Sequence, residues 1–493
     1  MAIRVQGTTI IDDSRNITNV ESLNGISLGI VKPTIITPTD GDEIVSDEIT
    51  VQSSPFRTAI GVDTHASSDW ELATDSGFTN IVASLTDSTS NLTSWTVSGL
   101  SADTYFVRVR HSGTTLGDSE FSNVVSFSLT TQRIYGFAGP VLFGDASGKS
   151  GAPKVIELPG GKTDWIKLPD SQDGNYLGCA MIDSQNDLYM IGEENGVGQL
   201  GNGTTVSVTS PTLVIGGLKW DSVSLESDIA GTTIGITTDG YAYGWGSNGD
   251  NRLLGQGGSS PASLPTDIKW HQISVGRNHV GGISQDGALY LWGGNEEHFG
   301  TVNQPSSPVQ YELATDWKQV SAGAVHLLAL NESGQLFAGG VNSSGQLGDS
   351  TTTNRQTSPV LIRSDLNWDY INAEGNCSFG ITTSGEGYAW GLNQSGILGV
   401  GVSDNPVTFP RTVAGGITDW TLIVGNAFNG TVFLRSDGSL YYAGSSNYLG
   451  GIYESSGTTI NSSPISLTTG LSEWVDIIKG SRRGSWGLTT DSV

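Results

Sequence analysis

The 493-residue sequence predicts an all-β protein, a closed seven-bladed β-propeller preceded by an N-terminal β-sandwich. Three observations support this. First, tryptophan recurs at Trp165, Trp220, Trp270, Trp317, Trp368, Trp420 and Trp474, with gaps of 55, 50, 47, 51, 52 and 54 residues. A near-constant period of this size marks a propeller or solenoid. Second, the chain has 68 glycines and only 3 methionines, and Ser, Thr, Asn and Gly fill the spaces between short apolar runs, as many short strands and tight turns require. Third, the last repeat stops after its turn, at GLTTDSV, while its missing half (133–158) stands ahead of the first tryptophan. Tyr135, Gly139, Gly144 and Pro153 there fall where other repeats carry an aromatic, glycines and a proline. Two half-repeats sharing one blade close the ring and remove exposed edges, whereas a solenoid requires a polar cap at each end.

Composition excludes several functions. A net charge of −26 argues against a nucleic-acid surface, which needs Lys and Arg to replace phosphate counterions. The one compact basic cluster, Lys479, Arg482 and Arg483, reads as a solvated loop. Cys179 and Cys377 are too few and too far apart for a disulfide framework or a metal motif. The amino terminus, MAIRVQGTTI, lacks a long apolar core behind a basic start, and no run approaches the ~18 apolar residues of a membrane helix. The expectation is a chain made in a cytoplasm, with no nucleic-acid partner and no membrane insertion.

In chain order, residues 1–31 form a leader in which β-branched runs alternate with Asp, Asn and Gly. It is too short to bury a core alone and should order only against something else. Residues 32–131 read as the sandwich. Strand-like runs EITVQ, DWELAT, TSWTV, TYFVRVRH and NVVSFSL are separated by turn residues. Tyr105, Val107 and Val109 alternate with Phe106, Arg108 and Arg110, as on a strand with one buried face, and Trp70 and Trp95 are expected in the core. Residues 132–493 are the propeller. Asp-Gly or Ser-Gly pairs such as Asp239–Gly240 and Ser333–Gly334 fit two-residue hairpin turns. Glycine-rich loops follow the hairpins, then one proline per repeat.

Several strings look catalytic or cofactor-binding but lack the context such chemistry needs. GVGQLG (196–201) matches a dinucleotide fingerprint without the helix that meets the pyrophosphate. GDASGKS (144–150) is one residue short of a phosphate loop and also lacks a following helix. Cys179, Thr232, His279, His326, Cys377, Gly430 and Gly484 occupy one column, eight residues before each turn position, which suits blade packing better than metal ligation. No residue is assigned as catalytic, cofactor-binding or metal-binding.

The W…GxxH…DG…YxWGxNxxGQLG pattern, clearest at residues 317–348, resembles the repeat of the regulator of chromosome condensation family. That resemblance spans about 360 residues and implies a seven-bladed propeller, with histidine in the column above. Leu100, Tyr105 and Arg108–Val109 resemble the corner of fibronectin type III domains, which implies that the Tyr105 hydroxyl bonds back to the backbone. IDDSRNITN in the leader, with DWELATDSGFTN and SEFSN in the sandwich, resembles segments of structural proteins of tailed bacteriophages. Together these imply a non-enzymatic virion protein, a tail fibre or related appendage. Ile11, Asp12, Asp13, Ser14, Arg15 and Asn16 would dock to other virion proteins, and propeller loops would meet a glycan or protein receptor on the bacterial surface. A homo-oligomer would suit a fibre, although the chain has neither heptads nor a recognisable trimerisation segment. Other readings are a bacterial protein-binding or surface module, a glycan-cleaving appendage built on a carboxylate pair, and guanine nucleotide exchange, which the acidic chain and missing basic tail disfavour.

Overall fold

In the computed structural model, four short strands are described among the first 28 residues, then residues 29–130 except 47, 60 and 61, and most of 132–489. The longer stretches outside the described residues are 139–154, 158–163, 173–177, 294–306, 446–459 and 468–473, with shorter ones such as 227–230 and 480–483. The chain forms two compact units, Met1–Thr131 and Gln132–Asp491. No helix of the described residues is long and apolar enough to cross a membrane.

The first unit contains two facing sheets. One runs in the order Ser94–Ser98, Glu48–Ser53, Ile35–Thr37. The other runs Asp42–Val45, Val125–Thr130, Asp103–Gly113, His65–Ala73, Ile81–Ser88. Period-two alternation is visible in both. Tyr105, Val107 and Val109 are buried with Trp70, Trp95 and Phe127 in one core. The opposite face of the long strand carries Arg108, paired with Glu71 at 2.6 Å and stacked 4.0 Å over Phe78, and Arg110, paired with Asp69 at 2.6 Å. The Tyr105 hydroxyl donates to the Ser101 carbonyl at 2.9 Å, which fixes the chain's entry into that strand.

A histidine pair makes this unit sensitive to acid. His111 is fully buried, its Nε2 3.1 Å from Ser53 Oγ on the facing sheet, and its ring centroid is 4.4 Å from that of His65. Burial, and secondarily the His65 charge, lower the His111 pKa from 6.5 to about 4. Between those values the unfolded chain binds a proton that the folded unit does not, so stability falls as pH drops through the window. The loss should level off near pH 4 at on the order of 3 kcal/mol. Thermal denaturation of the wild type from pH 7 to pH 4 should show this slope, and His111→Gln should largely lose it.

The second unit consists of seven sheets arranged as blades, numbered here 1 to 7 from Trp165 to Trp474. Blade 4 shows the plan: Trp317–Ala322, His326–Asn331, Leu336–Gly340 and Gln356–Ile362 pair antiparallel in that order. The tryptophan strands of consecutive blades face one another about the axis. In blades 2 to 5 the second strand lies between sheets and is buried on both faces, as in His326–Asn331. The tryptophans begin the innermost strands and are all buried, and in blades 1 to 6 they pack edge-on against an aromatic of the third strand, as Trp317 does against Phe337. Glycine is needed beneath the ring, since a Cβ at Gly235 would overlap the Trp220 indole.

Blade 7 is assembled from both ends of the repeat region, as the sequence predicts. Gly484–Thr489 pairs with Trp474–Lys479 on one side and with Arg133–Ala138 on the other, in register from Arg133↔Thr489 to Ala138↔Gly484. Ile134 and Leu488 join the core with Trp165 of blade 1, which closes the ring.

The hairpin turns differ from expectation. In blade 2 the Gly240 amide bonds the Thr237 carbonyl, and the Thr237 amide bonds the Tyr241 carbonyl, so the loop spans three residues rather than two. Gly240 has φ +91° while Asp239 is not in the left-handed region. A two-residue type I′ turn needs positive φ at both central residues, whereas a type I turn closed by a left-handed glycine needs it only once. Five of the repeat prolines, Pro211, Pro261, Pro359, Pro410 and Pro464, lie on the outermost strands and interrupt the row of donors that faces outward.

Candidate functional site

Most of the repeating consensus is used in building the ring. In three of the glycine loops a buried asparagine organises the backbone: Asn342 Oδ1 accepts from the Leu347 amide at 3.0 Å while its Nδ2 donates to Asp349 Oδ1 and the Thr351 carbonyl. Asn195 and Asn393 do the same in their own loops. The loop then anchors the following blade. The Gln199, Arg252 and Gln346 carbonyls accept the indole N–H of Trp245, Trp292 and Trp390 at 2.9, 2.9 and 3.0 Å. GVGQLG (196–201) is therefore an inter-blade clasp, with Gly198 and Gly201 at positive φ. GDASGKS (144–150), Arg482 and Arg483 lie outside the described residues.

The column of Cys179, Thr232, His279, His326, Cys377, Gly430 and Gly484 falls at or next to the start of the second strand in every blade. His326 Nε2 lies 2.8 Å from Ser378 Oγ of the next blade, and His279 Nε2 lies 3.2 Å from the His326 carbonyl. Burial pushes the Cys179 thiol well above its ordinary range. Among the described residues no group of three His, Cys, Asp or Glu is placed to hold a metal.

The innermost strands converge on the axis, where Ser171–Gln172 of blade 1 pairs in parallel with Leu225–Glu226 of blade 2, and side chains bridge blades 2 to 5. Ser224, Ser274 and Ser321 each accept from an amide of the next blade, Val275, Ala322 and Ala373, at 3.0, 2.9 and 2.8 Å. Gln272 accepts from the Val320 amide, and Gln319 both accepts from and donates to Ile371.

A β-bulge opens each of these strands. In all seven blades the register shifts between the tryptophan and the residue two places on. The residue between them is left outside the ladder, a device that re-aims a side chain without ending the strand. These positions are Ile166, Asp221, His271, Lys318, Asp369, Thr421 and Val475, exposed in every blade except for the half-buried Lys318. They differ in type from blade to blade, whereas the tryptophan before them never does.

Three of the bulged residues, Asp221, His271 and Lys318, line a cavity of about 590 Å³ at this end of the axis, walled by blades 1 to 4 and 7. Leu168, Val223 and Ile273 form its buried floor, and Lys167, Asp221, His271, Lys318 and Asp476 stand around it. Lys318 pairs with Asp369 at 2.6 Å, and Lys167 Nζ donates to the Asp221 carbonyl at 3.0 Å. The volume lies within the range of small-molecule sites.

Sequence reasoning places recognition in the irregular loops and the leader, not at this mouth. The available signal was the residue after each repeat tryptophan, whose type changes at every recurrence. Of the leader residues, Ile11 ends the strand Thr8–Ile11, and Asp12, Asp13, Ser14, Arg15 and Asn16 lie outside the described residues.

No family model matches the chain. Over 119 residues, 24% of the chain, it is 34% identical to the E3 ubiquitin-protein ligase HERC2 of Homo sapiens and of Mus musculus, a stretch spanning 2% of those proteins. Among solved structures, Prp20p from Saccharomyces cerevisiae, studied for its binding to Gsp1p and histones, aligns with a TM-score of 0.62 at 16% identity, covering 74% of this chain and 92% of that one. Yeast RCC1 (Prp20) in complex with Kap60 aligns with a TM-score of 0.61 at 14% identity, covering 74% and 90%. Human WBSCR16 aligns with a TM-score of 0.58 at 18% identity, covering 74% and 100%. At these identities the likeness is one of fold, and the fold is an RCC1-like propeller.

Proposed function

We propose that the chain is a non-enzymatic binding protein of a tailed-bacteriophage virion, a tail fibre or related appendage. Its propeller meets the host surface, and its leader docks to other virion proteins. The observation that most favours a binding role is the division of labour in the repeat. Tryptophans, asparagines, glycines and the histidine column are used within the scaffold, while the bulged positions Asp221, His271 and Lys318 carry three different side chains to an open mouth. A fold alone does not name a ligand; the virion assignment draws on the leader and sandwich resemblances. Protein made in the host cytoplasm should then be found in purified particles by proteomics. Deleting residues 1–31 should abolish its incorporation while the propeller still folds. Absence from particles, or incorporation of the truncated chain, would overturn the assignment.

A second reading is a protein-clamping module outside a virion. It is favoured by the RCC1-like neighbours, whose structures were determined with Kap60 bound or studied for Gsp1p and histone binding. Proteomics of purified particles separates the two, since a module outside a virion is absent from them; a nucleotide-release assay on a small GTPase tests guanine nucleotide exchange, and no acceleration is expected from this acidic chain.

A further inference from the structure

The geometry points to the axial mouth as a binding site for an uncharged, hydroxyl-rich ligand, a neutral saccharide residue or chain end. This inference rests on the host-surface reading and names the chemistry of what is recognised. The cavity, about 590 Å³, has a small apolar floor under a charged rim. Around the rim Lys167 stands between Asp476 and Asp221, and across His271 Lys318 is tied to Asp369 at 2.6 Å, so charges of both signs alternate and none stands in excess by more than one.

An anionic ligand would gain little net attraction there and would approach a chain of net charge −26, whose field repels it. A cationic ligand would meet the two lysines. A hydroxyl group, by contrast, can donate to a carboxylate and accept from an ammonium at once. Hydrogen bonds with one charged partner are about twice as strong as neutral ones, so alternating charges reward a neutral polyol in particular.

The bulges add a second, independent argument. Asp221, His271 and Lys318 are each the extra residue of a bulge, so their backbone lies outside the ladder and their side chains face the mouth rather than the blade core. Gln272 and Gln319, next to the last two, are held by the neighbouring blade through bonds of 2.8–3.0 Å. The rim is thereby seated on fixed side chains, as a preorganised site requires.

The test uses the full chain, titrated by ligand-observed NMR against glucose, galactose, mannose and N-acetylglucosamine, with glucuronate and N-acetylneuraminate as anionic probes. At least one neutral sugar should bind saturably. Asp221→Asn and Asp476→Asn should each weaken it at least tenfold, and Val206→Ser, on an exposed loop, should leave it unchanged. Three results would overturn the assignment: no saturable binding by any neutral sugar, binding of the anionic probes alone, or neutral binding indifferent to both aspartate variants. The two readings fail separately. Protein that blocks phage adsorption yet binds no sugar keeps the host-surface reading and loses this site. Protein that binds sugar but is absent from particles does the reverse.

Discussion

Deletion of residues 484–493 is expected to abolish the folded propeller rather than to trim it. Gly484–Thr489 is the one strand that touches both ends of the ring, pairing with Arg133–Ala138 on one side and Trp474–Lys479 on the other. Its loss takes Leu488 from the core that holds Ile134 and Trp165. It also exposes two strand edges that face each other across the gap, and such edges template aggregation. A typical domain has a net stability of only about 5–15 kcal/mol, so losing a strand paired on both sides is a large fraction of it. Calorimetry should show the propeller transition disappear, with aggregation by size-exclusion chromatography. Comparable melting of truncated and intact protein would contradict closure by shared ends. An Ile134→Cys/Leu488→Cys pair tests the same register from the other direction: oxidation should cross-link the two ends, since these residues are partners in the ladder.

The second large effect is expected at Arg252. Its guanidinium is fully buried, 3.0 Å from the buried Glu226 carboxylate, and donates also to the Gly249 and Gly276 carbonyls. It joins the loop of blade 2 to the inner strands of blades 2 and 3. Arg252→Met would remove the buried counter-charge of Glu226, and breaking such a pair costs about 3–5 kcal/mol. Adding Glu226→Gln should recover much of the loss, because the buried charge is then gone as well. Denaturant titration of the two single variants and the double variant gives the coupling directly. Additive losses would show that the ion pair is not the source of the effect.

These two sites differ in how far the sequence reveals them. Closure is legible because the missing half-repeat is visible as text, and a strand needs a partner wherever the chain places it. The blade column is legible for the same reason: His279, His326, Thr232 and Cys377 share an offset from a turn, and the offset sets their position in the fold. Arg252 stands where Gln199 and Gln346 stand in other loops, so the departure is visible, but its partner Glu226 is set by how the loop packs on the inner strand of its own blade. The turn length was misjudged because Asp-Gly fits both a two-residue and a three-residue hairpin, and only the φ values separate them. The mouth was missed because a bulge leaves no sequence signature of its own. Asp221 reads as one more polar residue after a tryptophan until the register shift behind it is seen.

The bulges also bear on how such a protein can change over generations. A residue outside the ladder can be exchanged without disturbing the rungs on either side, so each of the seven positions can vary at little cost in folding. Mutations at the mouth are thus uncoupled from mutations that threaten the ring. A lineage that must follow a changing partner could alter one codon at a time and keep a folded propeller at every step. Random libraries at residues 221, 271 and 318 should accordingly yield mostly folded protein, in contrast to libraries at the tryptophan one place before each.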